Sequence, residues 1–217
     1  MFVRPNQFRN SKADVQMFYG DGSLKSWTKP VGVSQIYMLL IGGGGSGDGG
    51  VNYGGNSGNV VTWFGAAQNV PDVLLANAGS AQTNPSASGG TSSILYRGTS
   101  LVTLLIANGG NFGGTANSAN AATVFGNSGF YQSTTGQTGG TFGGVSPSTT
   151  TFLSAAPMTS GLGNYGYQTS TNGCFLLQPI IVGLAGQDIT GAVAGIGCGC
   201  GSSQTKPGAG FILIASW

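Results

Sequence analysis

The sequence predicts an all-β protein: a glycine-rich β-sandwich or compact sheet assembly with long loops and little or no helix. Three observations carry that expectation. Short runs rich in β-branched and aromatic residues recur along the chain, each bounded by Gly, Asn, Ser or Pro. No window of a dozen residues offers apolar positions at spacings of three and four without an intervening glycine cluster, so helical periodicity is absent. Glycine supplies 42 of the 217 residues, against roughly 15 at average usage. Hydrophobic residues nevertheless make up 40%, a content that a disordered linker lacks.

The expected strands follow in order. DVQMFY (Asp14–Tyr19) stops at Gly20, and SQIYMLLI (Ser34–Ile41) runs into Gly42. NVVTWF (Asn59–Phe64) stops at Gly65, and DVLLANA (Asp72–Ala78) lies between Pro71 and Gly79. SSILY (Ser92–Tyr96) and SLVTLLIAN (Ser100–Asn108) flank Gly98. CFLLQPIIV (Cys174–Val182) carries Pro179, and GFILIASW (Gly210–Trp217) closes the chain. Residues 1–26 are expected to form an N-terminal arm and first strand, and residues 27–217 a glycine-rich β domain. A loop-rich insertion is expected at about 111–172, where Gly, Ser, Thr, Asn and Ala dominate and isolated aromatics such as Phe112, Phe130, Tyr131 and Phe142 are spaced among them. Glycine does not recur at every third residue there, which excludes a collagen triple helix.

Charge is scarce. Only 6% of residues are charged, against about 25% in ordinary domains, and none lies between Gly98 and Gln187. Such a chain stays soluble through hydroxyl, amide and backbone groups, or lives inside an assembly. The formal net charge of +2 is spread thinly, with Arg4, Arg9 and Lys12 near the N-terminus. Nucleic-acid binding requires a dense basic stripe, so no nucleic-acid partner is expected. Met1 is followed by polar and basic residues rather than an apolar stretch, so no signal peptide is expected. The apolar runs fall short of the roughly 20 residues of a spanning helix, so no membrane insertion is expected either. The chain reads as a soluble protein made in a cytoplasm.

No cofactor and no metal are expected. Cys174, Cys198 and Cys200 are too few to complete a zinc site without histidine, and the chain has none. The tract GGGGSG (Gly42–Gly47) matches G-x-G-x-x-G through Gly42, Gly44 and Gly47. A dinucleotide loop must open a helix whose N-terminus meets the pyrophosphate. Here SGDGGVNYGGNSGN follows, and it is all helix-breaker. No Gly-Lys-Ser or Gly-Lys-Thr occurs, and Ser/His/Asp or Cys/His catalysis is impossible without histidine. No two aspartates form a recognisable motif. A non-enzymatic protein is expected.

The segment SWTKPVGVSQIYMLLIGGGGSGDGG resembles the start of the glycine-rich domain of bacteriophage tail fibres and related virion proteins. Trp27, Pro30, Gly32 and Val33 occupy the aromatic and Pro-x-Gly-Val positions of that pattern, followed by Ile36–Ile41 and the glycine run. GGTSSI (Gly89–Ile94), LLIANGGNFGG (Leu104–Gly114) and the closing PGAGFILIASW (Pro207–Trp217) fit the later blocks. The resemblance implies a virion structural protein, either a tail-fibre or tail-tip component in host attachment or a capsid decoration protein. A cellular extracellular adhesin is a further alternative. It also implies a homo-oligomer, with a trimer favoured, together with other virion proteins and a host surface glycan or protein as partners. Candidate receptor contacts are the aromatics of the polar loops, Tyr53, Tyr131, Phe142, Tyr165 and Tyr167, whose rings can stack on sugar faces or pin the loops to the core. Arg4, Arg9 and Lys12 are the candidate virion-docking arm. The glycines are read as positive-φ turns and points of close backbone approach.

Overall fold

A computed structural model gives the fold and describes residues 13–47, 55–84, 86–112, 121–122, 129–134, 154–155, 165–166, 196–197, 199 and 207–217. The strands are β1 (Asp14–Tyr19), β2 (Leu24–Thr28), β3 (Gln35–Ile41), β4 (Val60–Ala66), β5 (Val73–Asn77), β6 (Ser92–Arg97) and β7 (Leu101–Ala107). After them come β8 (Ala121–Ala122), β9 (Gly129–Thr134), β10 (Ser154–Ala155), β11 (Tyr165–Gly166) and β12 (Phe211–Ser216). One sheet has the order β1-β12-β3-β4-β9, and the other has the order β2-β5-β6-β7 with the two-residue β8 at its edge. All pairings are antiparallel. The sheets pack as a sandwich, with β3 over β6 and β7 and β4 over β7. The single turn of 3-10 helix at Ala67–Asn69 is the one helical element among the described residues.

Alternation along the strands builds the core. Ile36, Met38 and Leu40 of β3 face inward with Val61 and Trp63 of β4 and Ile212 and Ile214 of β12. They meet Trp27, Leu74, Ala76, Ile94 and Leu105 of the second sheet. Each large apolar side chain buried in this way contributes about 1.5–3 kcal/mol. The register shifts at Ile94/Leu95 on β6 against β7, and Leu104 and Leu105 both join the core across that bulge. Trp63 needs a different accommodation. Gly65 and Gly129 face each other across β4 and β9, and a Cβ on either would come within 2.5–2.6 Å of the Trp63 ring. The glycine pair makes the slot that this indole fills.

The outer face of the first sheet is also apolar. Leu39, Ile41, Val60, Phe211 and Leu213 form a second buried cluster, with Ile196 packed on it.

Apart from Cys174–Val182, which lies outside the described residues, each expected run contains a strand. Two full strands were not legible. β2, LKSWT, has only Leu24 and Trp27 as large apolar residues and is held by full-length pairing with β5. β9, GFYQST, sits in the polar insertion and gains its strand character from β4. The boundary expected between residues 26 and 27 falls inside β2, and both β1 and β2 are integral to the sandwich. The arm Met1–Lys12 lies outside the described residues.

Candidate functional site

β3 does not turn at its glycine run. It continues as an extended segment, Gly42–Gly47, that is not a strand. The amides of residues 42, 43, 44, 45 and 46 donate in succession to the carbonyls of Asn59, Gly90, Gly208, Asn56 and Ala87, at 2.8–3.0 Å. Residues 42 and 45 therefore face one neighbouring segment, 43 and 46 a second, and 44 a third. A strand repeats every two residues and bonds only within its sheet. This segment repeats every three, the period of a polyproline II-type helix, which makes no internal hydrogen bonds. The next segment shows the same step, since Asn56 and Asn59 donate to Asn111 and Asn108.

The result is a lattice of extended segments, 42–47, 55–59, 78–80, 87–91, 108–112 and 207–210, each continuing a strand of one sheet or the other. At several of their glycines the segments lie too close together for a side chain. A Cβ on Gly58 would collide with the carbonyl of Gly42, one on Gly109 with that of Gly89, and one on Gly110 with that of Asn56. Among the described glycines only Gly22, Gly32 and Gly197 have positive φ. The expectation that Gly42–Gly45 form positive-φ turns is thereby corrected: close backbone approach is what requires glycine at Gly42 and Gly45. The joint between strands and lattice is sealed by buried Ser92, whose Oγ donates to Ile41 O (2.6 Å) and accepts from Gly79 N (3.0 Å). Ser46 does the same with the backbone of Ala87.

This geometry decides what the G-x-G-x-x-G match can do. A phosphate loop must offer free amides, whereas those of residues 42–46 are all taken by protein carbonyls. No charged side chain occurs in any of the lattice segments.

The opposite end of the sandwich holds a shallow open cleft of about 470 Å³, lined by Lys29, Val31, Gly32, Gln68 and Asp72 among others. The Lys29 ammonium donates to Ala67 O (3.1 Å) and Val70 O (2.8 Å) and pairs with Asp72 Oδ1 (2.8 Å). An ammonium has three protons to donate. All three are engaged, so Lys29 pins the 3-10 turn against the β2–β3 connection and offers no free amine. At the lattice end, exposed Asp21 is held well below the usual carboxylate range by hydrogen bonds from Lys25 and Ser23.

The structure scatters the sequence-predicted contacts. Tyr131 is a strand residue of β9, half-buried and packed against the main core, so its ring anchors the sheet edge rather than lying in a loop. Tyr165 pairs with Ala155 in the two-stranded β10–β11 sheet. Tyr53, Phe142 and Tyr167 lie outside the described residues, as do Arg4, Arg9, Lys12, Cys174, Cys198 and Cys200. Among the described residues no group of three His, Cys, Asp or Glu could hold a metal ion, and no helix is long and apolar enough to cross a membrane. The aromatics that the structure does expose together were missed. Phe64 stacks on Trp217 at 5.9 Å and 18°, and Phe130, 74% exposed, lies across from Phe64. Their positions in the alternation, on the face away from the core, were the available signal.

No protein-family model matches the chain, and no curated protein matches it.

Proposed function

We propose that the chain is a non-enzymatic structural protein of a bacteriophage virion, working in host attachment as a tail-fibre or tail-tip component. The observation that supports this reading most is the backbone lattice. It is held by main-chain hydrogen bonds between segments that carry no ionisable side chain, so changes of pH and salt have little in it to act on. It is also a platform. Segments 42–47 and 55–59 both belong to it, and β9 ends at Thr134 on the same side of the sandwich, opposite Val60. Connections mounted on such a body are free to vary while the body itself is not. Tyr53 lies in sequence between those two segments and Phe142 follows β9, and with Tyr165 and Tyr167 they are the proposed contacts. Aromatic rings beside Asn, Gln and Thr recognise a glycan or protein surface by stacking and hydrogen bonding, without charge.

The reading is tested by raising antibodies against the purified chain and labelling phage particles with immunogold. Label at the far end of the tail, together with inhibition of adsorption by the purified chain, is the expected result. Label over the head would favour a capsid decoration protein, and particles free of the chain by mass spectrometry would refute virion membership.

A further inference from the structure

We propose that the chain pairs with a second copy of itself through β1, antiparallel and centred on Met17, joining the two copies' first sheets into one continuous sheet. The inference does not rest on the attachment reading. Among the described residues β1 is an edge strand, and the hydrogen-bond phase shows which of its groups face away from β12. Gly20 N–H donates to Gly210 O at 3.0 Å, one step beyond the register pair Tyr19–Phe211. In an antiparallel ladder, bonded and non-bonded pairs alternate. Asp14, Gln16 and Phe18 therefore bond to β12, while the N–H and C=O groups of Val15, Met17 and Tyr19 point away to the open edge. The other side of β12 agrees: Trp217 and Gln35 exchange both bonds (3.1 and 2.9 Å), so the odd-numbered residues of β12 serve β3.

The side chains of Val15, Met17 and Tyr19 lie on the outer face, 47, 47 and 59% exposed. The Tyr19 ring leans on Phe211 at 5.4 Å. Natural sheet edges are guarded by lysine, proline or a bulge. β2, the corresponding edge of the second sheet, carries Lys25, ion-paired to Asp21 at 2.8 Å. Between Val15 and Tyr19, β1 has no charge, no proline and no bulge.

A second copy fits this edge better than an unrelated strand because the edge complements itself. Rotation about a two-fold axis at Met17 sets Met17 against Met17 of the second copy and Val15 against its Tyr19. Each bonded pair then exchanges two hydrogen bonds, and each outer-face pair joins a β-branched residue to an aromatic one or thioether to thioether. The one charge on the strand, Asp14, falls opposite Gly20 of the second copy, so the two aspartates sit at opposite ends. An isologous contact of this kind closes as a dimer, not the trimer that the family resemblance implies.

The test is the mass of the full chain in solution by light scattering and sedimentation equilibrium. Wild type should be a dimer. Met17→Pro removes an N–H that faces away from β12, a change that edge strands tolerate. It should weaken the dimer about 30-fold, the effect of two lost hydrogen bonds, with the melting curve of the monomer preserved. Met17→Lys and Met17→Asp should each be monomeric alone and form a heterodimer when mixed, because residue 17 faces itself. Phe130→Lys, on the opposite edge strand, should leave the dimer intact. A monomeric or trimeric wild type overturns the proposal, as does a dimer whose dissociation constant Met17→Pro leaves unchanged, or a Lys/Asp mixture that stays monomeric.

Discussion

A methyl group at Gly42 should cost far more than one at Gly43, although the two are neighbours in one run. A Cβ on Gly42 would overlap the carbonyl of Asn108, 2.6 Å from its carbon, and lie 3.0 Å from Ala107 O. Both obstacles are backbone, and relieving them strains the bonds Gly42 N–Asn59 O and Asn59 N–Asn108 O, each 2.9 Å. Overpacking costs about 1–3 kcal/mol, and each buried hydrogen bond broken adds about 1–3 kcal/mol. Lower entropy of the unfolded chain returns about 0.4–1 kcal/mol. Gly42→Ala should therefore destabilise by about 2–8 kcal/mol, or roughly 5–30 °C in Tm for a chain of this length. At Gly43 the nearest atoms are Ser80 O at 3.0 Å and Gly90 N at 3.1 Å. A shift of a few tenths of an ångström suffices there, and Gly43→Ala should cost about 1 kcal/mol or less. Gly32→Ala is the conformational control. Nothing lies within 4 Å of its Cβ, but its φ is +86°, so the cost should be about 1 kcal/mol from backbone strain alone. Thermal and urea unfolding of the three variants measures the order. Equal losses at Gly42 and Gly43, or the largest loss at Gly32, would refute close approach as the reason for the run.

Lys29→Ala should destabilise by about 1–3 kcal/mol, because it strands two loop carbonyls and a carboxylate at once. Asp72→Asn should cost less than about 1 kcal/mol, since that carboxylate is 85% exposed and its pairing is screened; urea unfolding of both variants checks the ranking. Asp21 has a depressed folded-state pKa, so its contribution is present above the ordinary aspartate value and is lost as pH falls below it. The difference in Tm between wild type and Asp21→Asn should shrink progressively as pH is lowered below the ordinary aspartate value, and should shrink in high salt because the group is exposed. A difference that grows on acidification would contradict the assigned hydrogen bonds.

Alternation and strand-ending glycines are local signals, so the all-β class and the position of most strands were legible in the residues alone. Ser34–Ile41 could be read as a strand from its own residues, and Gly42–Gly47 could be excluded as a nucleotide loop by the helix-breakers that follow. The resemblance carried by Trp27, Pro30, Gly32 and Val33 pointed toward virion proteins on local pattern alone. What the glycines do depends instead on contacts between distant parts of the chain. Gly42 needs to be glycine because Asn108, 66 positions later in the chain, lies where its side chain would be, and no window of sequence contains both. Tertiary pairing likewise made strands of LKSWT and GFYQST, and it moved Tyr131 from an expected loop to a half-buried position on a sheet edge. The open edge of β1 was equally hidden. Which of Asp14–Tyr19 bond to β12 depends on the phase of a ladder closed by the last residues of the chain. Periodicity shows how a strand alternates, but only its partner determines which side is left to bind.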